Sequence, residues 1–99
     1  SGPAWYYELS SQLVNSGKKL GLSLDDSEMI IKELVKALPS LVADESSFKD
    51  LVNQVKSPNG TTEAGLNSLN KGSFDKIIFD AIQKATYKSN EISRELSSE

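Results

Sequence analysis

The chain has 99 residues, 37% of them apolar, and a formal net charge of −3 at neutral pH. That length suits one small domain, and a domain of this size leaves about a third of its unfolded-chain surface exposed, so association with another subunit would stabilise it. Cysteine and histidine are both absent, which excludes Cys–His and Ser–His nucleophile systems and the common zinc sites.

The charge pattern and hydropathy also narrow the range of partners. The lysines are scattered, with Lys18-Lys19 as the one adjacent pair, so no basic stripe could neutralise a row of phosphates. No apolar run nears the ~18 residues of a membrane span, and no signal-peptide pattern is present. We therefore expect neither nucleic acid nor membrane as a partner, and the lack of cysteine favours a cytoplasmic protein.

The first predicted helix runs from Pro3, a favoured first-turn residue, to Leu20 and stops at Gly21. Gly17 within this helix would let another backbone come close. The aromatic run Trp5-Tyr6-Tyr7 spreads over different faces at helical spacing, which favours core or interface packing over a stacking platform. More than one face of this helix is therefore apolar.

The second predicted helix begins near Leu24 and carries an apolar band as far as Val42. Pro39 interrupts this band, and a proline inside a helix removes one backbone hydrogen bond at a cost of about 3 kcal/mol. We expect a kink between Val35 and Pro39, or two abutting helices. The acidic residues of the first turn suit the positive end of the helix dipole better than they suit a metal; they are Asp25, Asp26 and Glu28.

A short third helix and a fourth helix follow. We expect Asp44-Glu45 to serve the turn before the third helix, which Ser47 caps and which runs from Phe48 to Val55. The fourth helix covers Thr61 to Asn70, and Gly72 ends it.

The fifth predicted helix is the longest, with Ser73 as its cap and a polar tail, Ser93 to Glu99, that we expect to fray. Its apolar residues follow a period of about 3.6; they are Phe74, Ile77, Ile78, Ala81, Ile82, Ala85, Ile92 and Leu96. Helices with apolar surface on several faces predict an all-α bundle that completes its core with a partner. The alternative is a monomer with partly exposed tyrosines.

The segment between the third and fourth helices, Ser57-Pro58-Asn59-Gly60-Thr61-Thr62, permits two interpretations. Pro-Asn-Gly is ordinary turn chemistry, and Thr61 or Thr62 could then cap the fourth helix. A helix N-terminus also has unpaired N–H groups and a partial positive charge, which suit a small anion. Asn59-Gly60-Thr61 matches a glycosylation sequon, which we interpret as accidental because no secretory signal accompanies it.

Two segments resemble a known family. Ser1-Gly2-Pro3-Ala4-Trp5, continuing through Gly17 to Gly21-Leu22, resembles the SGPAY…G…GL opening of the C-terminal domain of pyrroline-5-carboxylate reductase. The segment from Val55 to Leu66, VKSPNGTTEAGL, resembles that family's V-x-SPGGTT-x-AGL signature. The spacing between the two segments fits the family, and so does the following Lys71-Gly72-Ser73-Phe74, so the resemblance covers essentially the whole chain.

The resemblance implies that residues 1–99 form an interlocking helical dimerisation and substrate-side domain, similar to the C-terminal helical fold of 6-phosphogluconate dehydrogenase. Such a domain has five helices, or six if Pro39 divides the second. The implied activity is the NAD(P)H-dependent reduction of 1-pyrroline-5-carboxylate to L-proline in proline biosynthesis by a homodimer or higher assembly. In the family an N-terminal Rossmann domain binds the nucleotide, and no G-x-G-x-x-G turn after a strand is found in this chain. We therefore expect this chain to lack that domain and to be inactive alone.

The resemblance also implies the roles of particular residues. Gly60, Thr61 and Thr62 would offer backbone N–H groups to the substrate carboxylate, with Ser57 close by. The Thr62 hydroxyl would bond the pyrroline nitrogen, which makes Thr62 the candidate catalytic residue. No metal and no cofactor would bind within this chain.

This chain departs from the family pattern at several positions. Asn59 replaces a glycine of the signature, Ser11 and Gln12 stand where Glu-Ala is common, and Ser47-Phe48 stands where His-Pro is frequent. The alternative hypothesis is therefore a non-catalytic dimerisation module of a diverged reductase-like paralogue.

Overall fold

The computed structural model describes residues 1–42 and 46–97, and these contain five α-helices and no strand. The helices are α1 (Gly2–Lys19), α2 (Leu24–Leu41), α3 (Phe48–Val55), α4 (Thr61–Lys71) and α5 (Phe74–Ser97). The predicted all-α class is confirmed, and each helix begins and ends within two residues of its predicted bounds or runs further than expected. The role expected for Asp44-Glu45 and the end of the C-terminal tail lie outside the described residues. The chain forms two compact units, residues 1–47 and 48–99.

The first unit is a helical hairpin closed by a tight turn at the end of α1. The Leu22 N–H donates to the Gly17 carbonyl at 3.0 Å, and the Gly21 N–H donates to the Lys18 carbonyl at 3.1 Å. This pair of bonds is a Schellman motif, and it requires a left-handed residue, which Gly21 supplies at φ +112°. The predicted stop at Gly21 is therefore confirmed, because the motif needs the positive φ that glycine readily adopts.

α1 and α2 lie close together where Gly17 faces Ser27. The Ser27 hydroxyl donates to the Val14 carbonyl at 2.8 Å in a buried contact. A Cβ on Gly17 would collide with the Ser27 hydroxyl and would lie 3.4 Å from Leu22 Cδ1. Within the described residues Val14 and Ser27 are the buried side chains of this chain. Gly17 was expected to let another backbone come close; the atoms that lie against it belong instead to the side chains of Ser27 and Leu22.

α2 starts with a side-chain cap and passes through its proline. The Ser23 hydroxyl accepts a hydrogen bond from the Asp26 N–H at 3.1 Å, as an N-cap residue does. The helix continues through Pro39 to Leu41, so the expectation of two abutting helices is wrong. Pro39 lies in the last turn, so the backbone bond that it removes affects only the end of α2. Of the two helix counts expected, five and six, the described residues therefore show five.

The second unit contains α3, α4 and α5, and the junction of the last two differs from the prediction. Gly72 is the C-cap of α4 but has an ordinary φ of −80°. Ser73 takes the left-handed conformation instead, at φ +60°. The Ser73 carbonyl accepts from the Ile77 N–H at 3.1 Å, so Ser73 does stand directly before α5, although no side-chain cap bond is recorded for it among the described residues.

Apolar side chains remain exposed in both units. Tyr6 and Tyr7 on α1 are 66% and 72% exposed, and Ile77 on α5 is 61% exposed. All eight predicted apolar positions of α5 lie within the helix, and none is buried. None of the described helices combines the length and apolarity that a membrane crossing requires. The described part of the chain thus leaves much of its apolar surface without cover.

Candidate functional site

The segment between α3 and α4 folds as a four-residue turn. The Gly60 N–H donates to the Ser57 carbonyl at 3.1 Å, which closes the turn. Pro58 presets the second position, and Asn59 has φ +58° at the third. A turn with proline second and a positive φ third is type II, and asparagine is the residue after glycine that best adopts that φ. The departure from the family's glycine at Asn59 therefore preserves the turn.

α4 starts directly after this turn. Gly60 is the N-cap, with extended backbone, and makes no side-chain cap bond. Thr61 and Thr62 are the first two helical residues, so the prediction that one of them caps α4 is wrong. Gly60 occupies the N-cap position because its carbonyl accepts from the Ala64 N–H at 3.2 Å.

The start of α4 presents backbone donors. Among residues 1–42 and 46–97, no acceptor is recorded for the N–H groups of Thr61, Thr62 and Glu63. Unpaired N–H groups with the positive end of the helix dipole favour an anion. The Gly60 N–H, by contrast, is already used by the Ser57 carbonyl. In this conformation the donors that could face a carboxylate belong to the helix rather than to Gly60.

Gly60 and Ser57 lie against each other. A Cβ on Gly60 would collide with the Ser57 hydroxyl and would come within 3.2 Å of the Ser57 carbonyl oxygen. The space beside Ser57 therefore favours glycine at position 60, whereas the φ of −91° is open to other residues. The sequence-predicted site residues thus come together within one turn and one helix start; they are Ser57, Gly60, Thr61 and Thr62.

Glu63 is a member of this cluster that the sequence interpretation missed. Its Oε2 accepts a hydrogen bond from the Asn59 N–H at 2.7 Å. A signal was available, because a glutamate at the third helical position commonly reaches back to the residues before the helix. Here it reaches Asn59, one residue before the N-cap.

Other site chemistries receive no support in the described part of the chain. No group of three or more acidic side chains comes together there as metal ligands would. A cleft of about 500 Å³ lies between α1 and α2 in the first unit, with Tyr6, Tyr7 and Ile31 among its lining residues. Its wall is largely apolar, which agrees with the packing role expected for the aromatic run.

The fold and the cluster define a class of protein: an all-α domain with exposed apolar helix faces and a tight turn that leads into a helix start with unpaired N–H groups. The family model described as pyrroline-5-carboxylate reductase dimerisation matches residues 1–92. The chain therefore belongs to the pyrroline-5-carboxylate reductase dimerisation-domain family, as the resemblance in its two motifs predicted.

Individual relatives agree with the family. A pyrroline-5-carboxylate reductase of Pseudomonas aeruginosa is 32% identical over 97 residues, which cover 97% of this chain and 36% of that protein. One of Staphylococcus haemolyticus is 35% identical over 95 residues, covering 95% of this chain and 35% of that protein. The chain therefore spans about a third of the length of these relatives.

A solved structure shows the same fold. The crystal structure of Plasmodium falciparum pyrroline carboxylate reductase with NADP bound is similar to this chain, with a TM-score of 0.81 and 31% sequence identity. The match covers 89% of this chain and 34% of that one.

Proposed function

We propose that this chain is the dimerisation and substrate-side domain of a pyrroline-5-carboxylate reductase, which makes L-proline from 1-pyrroline-5-carboxylate with NAD(P)H. The observation that carries the proposal is the start of α4, where the unpaired N–H groups of Thr61 and Thr62 follow the closed turn from Ser57 to Gly60. The family match over residues 1–92 supplies the reaction.

The substrate carboxylate binds at this helix start. Its negative charge suits the helix dipole, and two or three N–H groups can share it. The Thr62 hydroxyl bonds the ring nitrogen, and Ser57 completes the edge of the site beside Gly60. The nucleotide, held outside this chain, supplies the hydride that reduces the imine carbon. Residues of this chain orient that carbon, so the reaction needs neither histidine nor cysteine here.

The protein works as a homodimer or a higher assembly in the cytoplasm. Association is supported by the family description and by the exposed apolar positions on α1 and α5. Covering such surface is worth about 25 cal/mol per Å² buried. The cytoplasmic location remains a prediction from the absence of cysteine.

The test is NAD(P)H oxidation by the full-length protein with 1-pyrroline-5-carboxylate. We expect steady turnover, and we expect Thr62→Ala to lower kcat/KM about ten- to hundredfold, because it removes a hydrogen bond to a charged ring nitrogen. Thr86→Ala is the matched control, since the exposed Thr86 hydroxyl bonds the Ile82 carbonyl of its own helix at 2.9 Å.

The possible outcomes distinguish a wrong site residue from a wrong function. Unchanged kinetics in Thr62→Ala would remove Thr62 from the site while leaving the reaction in place. Absence of turnover in a folded, nucleotide-binding dimer would overturn the proposal and favour a non-catalytic module of a diverged paralogue.

A further inference from the structure

We propose that Glu63 is a positioning residue of this carboxylate site, with two effects of opposite sign. Its hydrogen bond holds the turn from Ser57 to Gly60 onto the start of α4, and its charge limits the affinity of that start for an anionic substrate. The identity of the substrate in this inference rests on the proposed function. The structural role of Glu63 rests on its hydrogen bond to Asn59 alone.

The contact is short and joins two different elements. The Asn59 N–H lies 2.7 Å from Glu63 Oε2, a length typical of a hydrogen bond to an ionised group. Asn59 is the left-handed residue of the turn, at φ +58°, a conformation that is less favourable for a residue with a side chain than for glycine. A carboxylate that accepts from this N–H offsets that cost.

The position of Glu63 explains how its hydrogen bond to Asn59 fixes the direction of the Thr61 and Thr62 N–H groups. Thr61 and Thr62 lie between Asn59 and Glu63 in the chain, so the bond closes a loop around both. The Gly60 N–H is already held by the Ser57 carbonyl, 3.1 Å away. With both bonds in place the turn has little freedom to rotate against α4, and the two threonine N–H groups keep one direction.

The charge of Glu63 acts the other way. A carboxylate in the first turn satisfies the positive end of the helix dipole, so it competes with any carboxylate that binds there. Like charges at short distance also repel each other. A substrate carboxylate at α4 is therefore held less tightly than the free N–H groups alone would hold it.

Two substitutions separate these effects in the full-length protein. Glu63→Gln keeps an oxygen that can accept from the Asn59 N–H but removes the charge. We expect its KM for 1-pyrroline-5-carboxylate to fall about two- to fivefold with kcat within about twofold. A change of this size in KM is what one charge near a helix end causes. Glu63→Ala removes both, and we expect its kcat to fall about tenfold because the donors lose their direction.

Glu91→Gln is the matched control, since it removes the same charge from an exposed site on α5 where Glu91 pairs with Lys88. We expect it to leave KM and kcat unchanged. Equal kinetics in Glu63→Gln and Glu63→Ala would overturn the inference, and so would a higher KM in Glu63→Gln.

Amide hydrogen exchange at Asn59 tests the structural part without any turnover. We expect exchange at this N–H to be slow in the wild type and in Glu63→Gln, and at least tenfold faster in Glu63→Ala. Equal exchange in all three proteins would overturn the holding role. An inactive wild type with this exchange pattern would reject the proposed function and leave the hydrogen bond of Glu63 established.

Discussion

At the scale of single residues, Gly17, Val14 and Ser27 decide how α1 meets α2. Ser27 is a buried polar residue, and its hydroxyl is satisfied by the Val14 carbonyl. Gly17 provides the space in which that hydroxyl lies. A buried hydroxyl without a partner would destabilise the unit, whereas this pairing makes the contact favourable and specific.

We predict that Gly17→Ala and Ser27→Ala are coupled. Gly17→Ala places a methyl group against the Ser27 hydroxyl and should lower the free energy of unfolding by about 1–3 kcal/mol. Ser27→Ala loses one hydrogen bond and should cost about 1 kcal/mol. The double variant should be less destabilised than the sum, because the colliding hydroxyl is gone.

Denaturant unfolding at a fixed protein concentration measures the three changes. Strict additivity of the two substitutions would show that Gly17 and Ser27 do not meet in solution.

At the scale of the elements, the ends of the helices follow local chemistry, and the turn between α4 and α5 is the exception. The Schellman motif places its left-handed residue at a glycine, Gly21. Between α4 and α5 the left-handed residue is Ser73, although Gly72 stands beside it. The Ser73 N–H donates to the Asn70 carbonyl at 3.1 Å, which places the turn one residue later than the glycine suggests.

We predict that two single substitutions each stabilise this junction. Ser73→Gly relieves a left-handed serine and should add up to about 1 kcal/mol to the free energy of unfolding. Gly72→Ala should add about 0.4–1 kcal/mol by reducing the freedom of the unfolded chain. Its new Cβ would lie 3.5 Å from the Ser68 carbonyl oxygen, an ordinary contact.

Thermal unfolding of each variant provides the measurement, with Tm expected to rise in both. A lower Tm in Gly72→Ala would mean that Gly72, and not Ser73, takes the left-handed conformation.

At the scale of the whole molecule, exposed apolar faces are the dominant feature. Ion pairs such as Lys76–Asp80, at 2.7 Å, lie within single helices. Exposed pairs of this kind contribute about 0.3–0.5 kcal/mol each, which cannot replace a core. The apolar positions of α1 and α5 therefore need a cover that the chain's own described residues do not give them.

We predict that the protein is a dimer in solution and that α5 contributes to its interface. Ile77→Asp would bury a charge in that interface and should weaken the dimer at least a hundredfold. Asn90→Asp is the control, since Asn90 is an exposed polar residue that lies about 140° around α5 from Ile77 at 100° per residue. Light scattering over a range of concentrations measures both.

A monomer mass in the wild type at every concentration would contradict the association. Equal dissociation of both variants would remove the apolar face of α5 from the interface.

The sequence by itself determined the helices, their order and the family. Helix starts, stops and faces depend on neighbouring residues, so the start of α2 at Leu24, the stop at Gly21 and the apolar period of α5 could be interpreted without coordinates. The motif from Ser57 to Thr62 marked the candidate site for the same reason, since its members are consecutive in the chain.

Only the three-dimensional structure decided which atoms are paired. It showed that the Gly60 N–H is used by Ser57, that Asn59 bonds Glu63, and that α2 continues through Pro39. The contact of Ser27 with Val14 joins residues 13 apart on two helices, and no local rule predicts it. Such pairings depend on side-chain rotamers and on how helices approach each other, and these follow from the folded packing rather than from residue type.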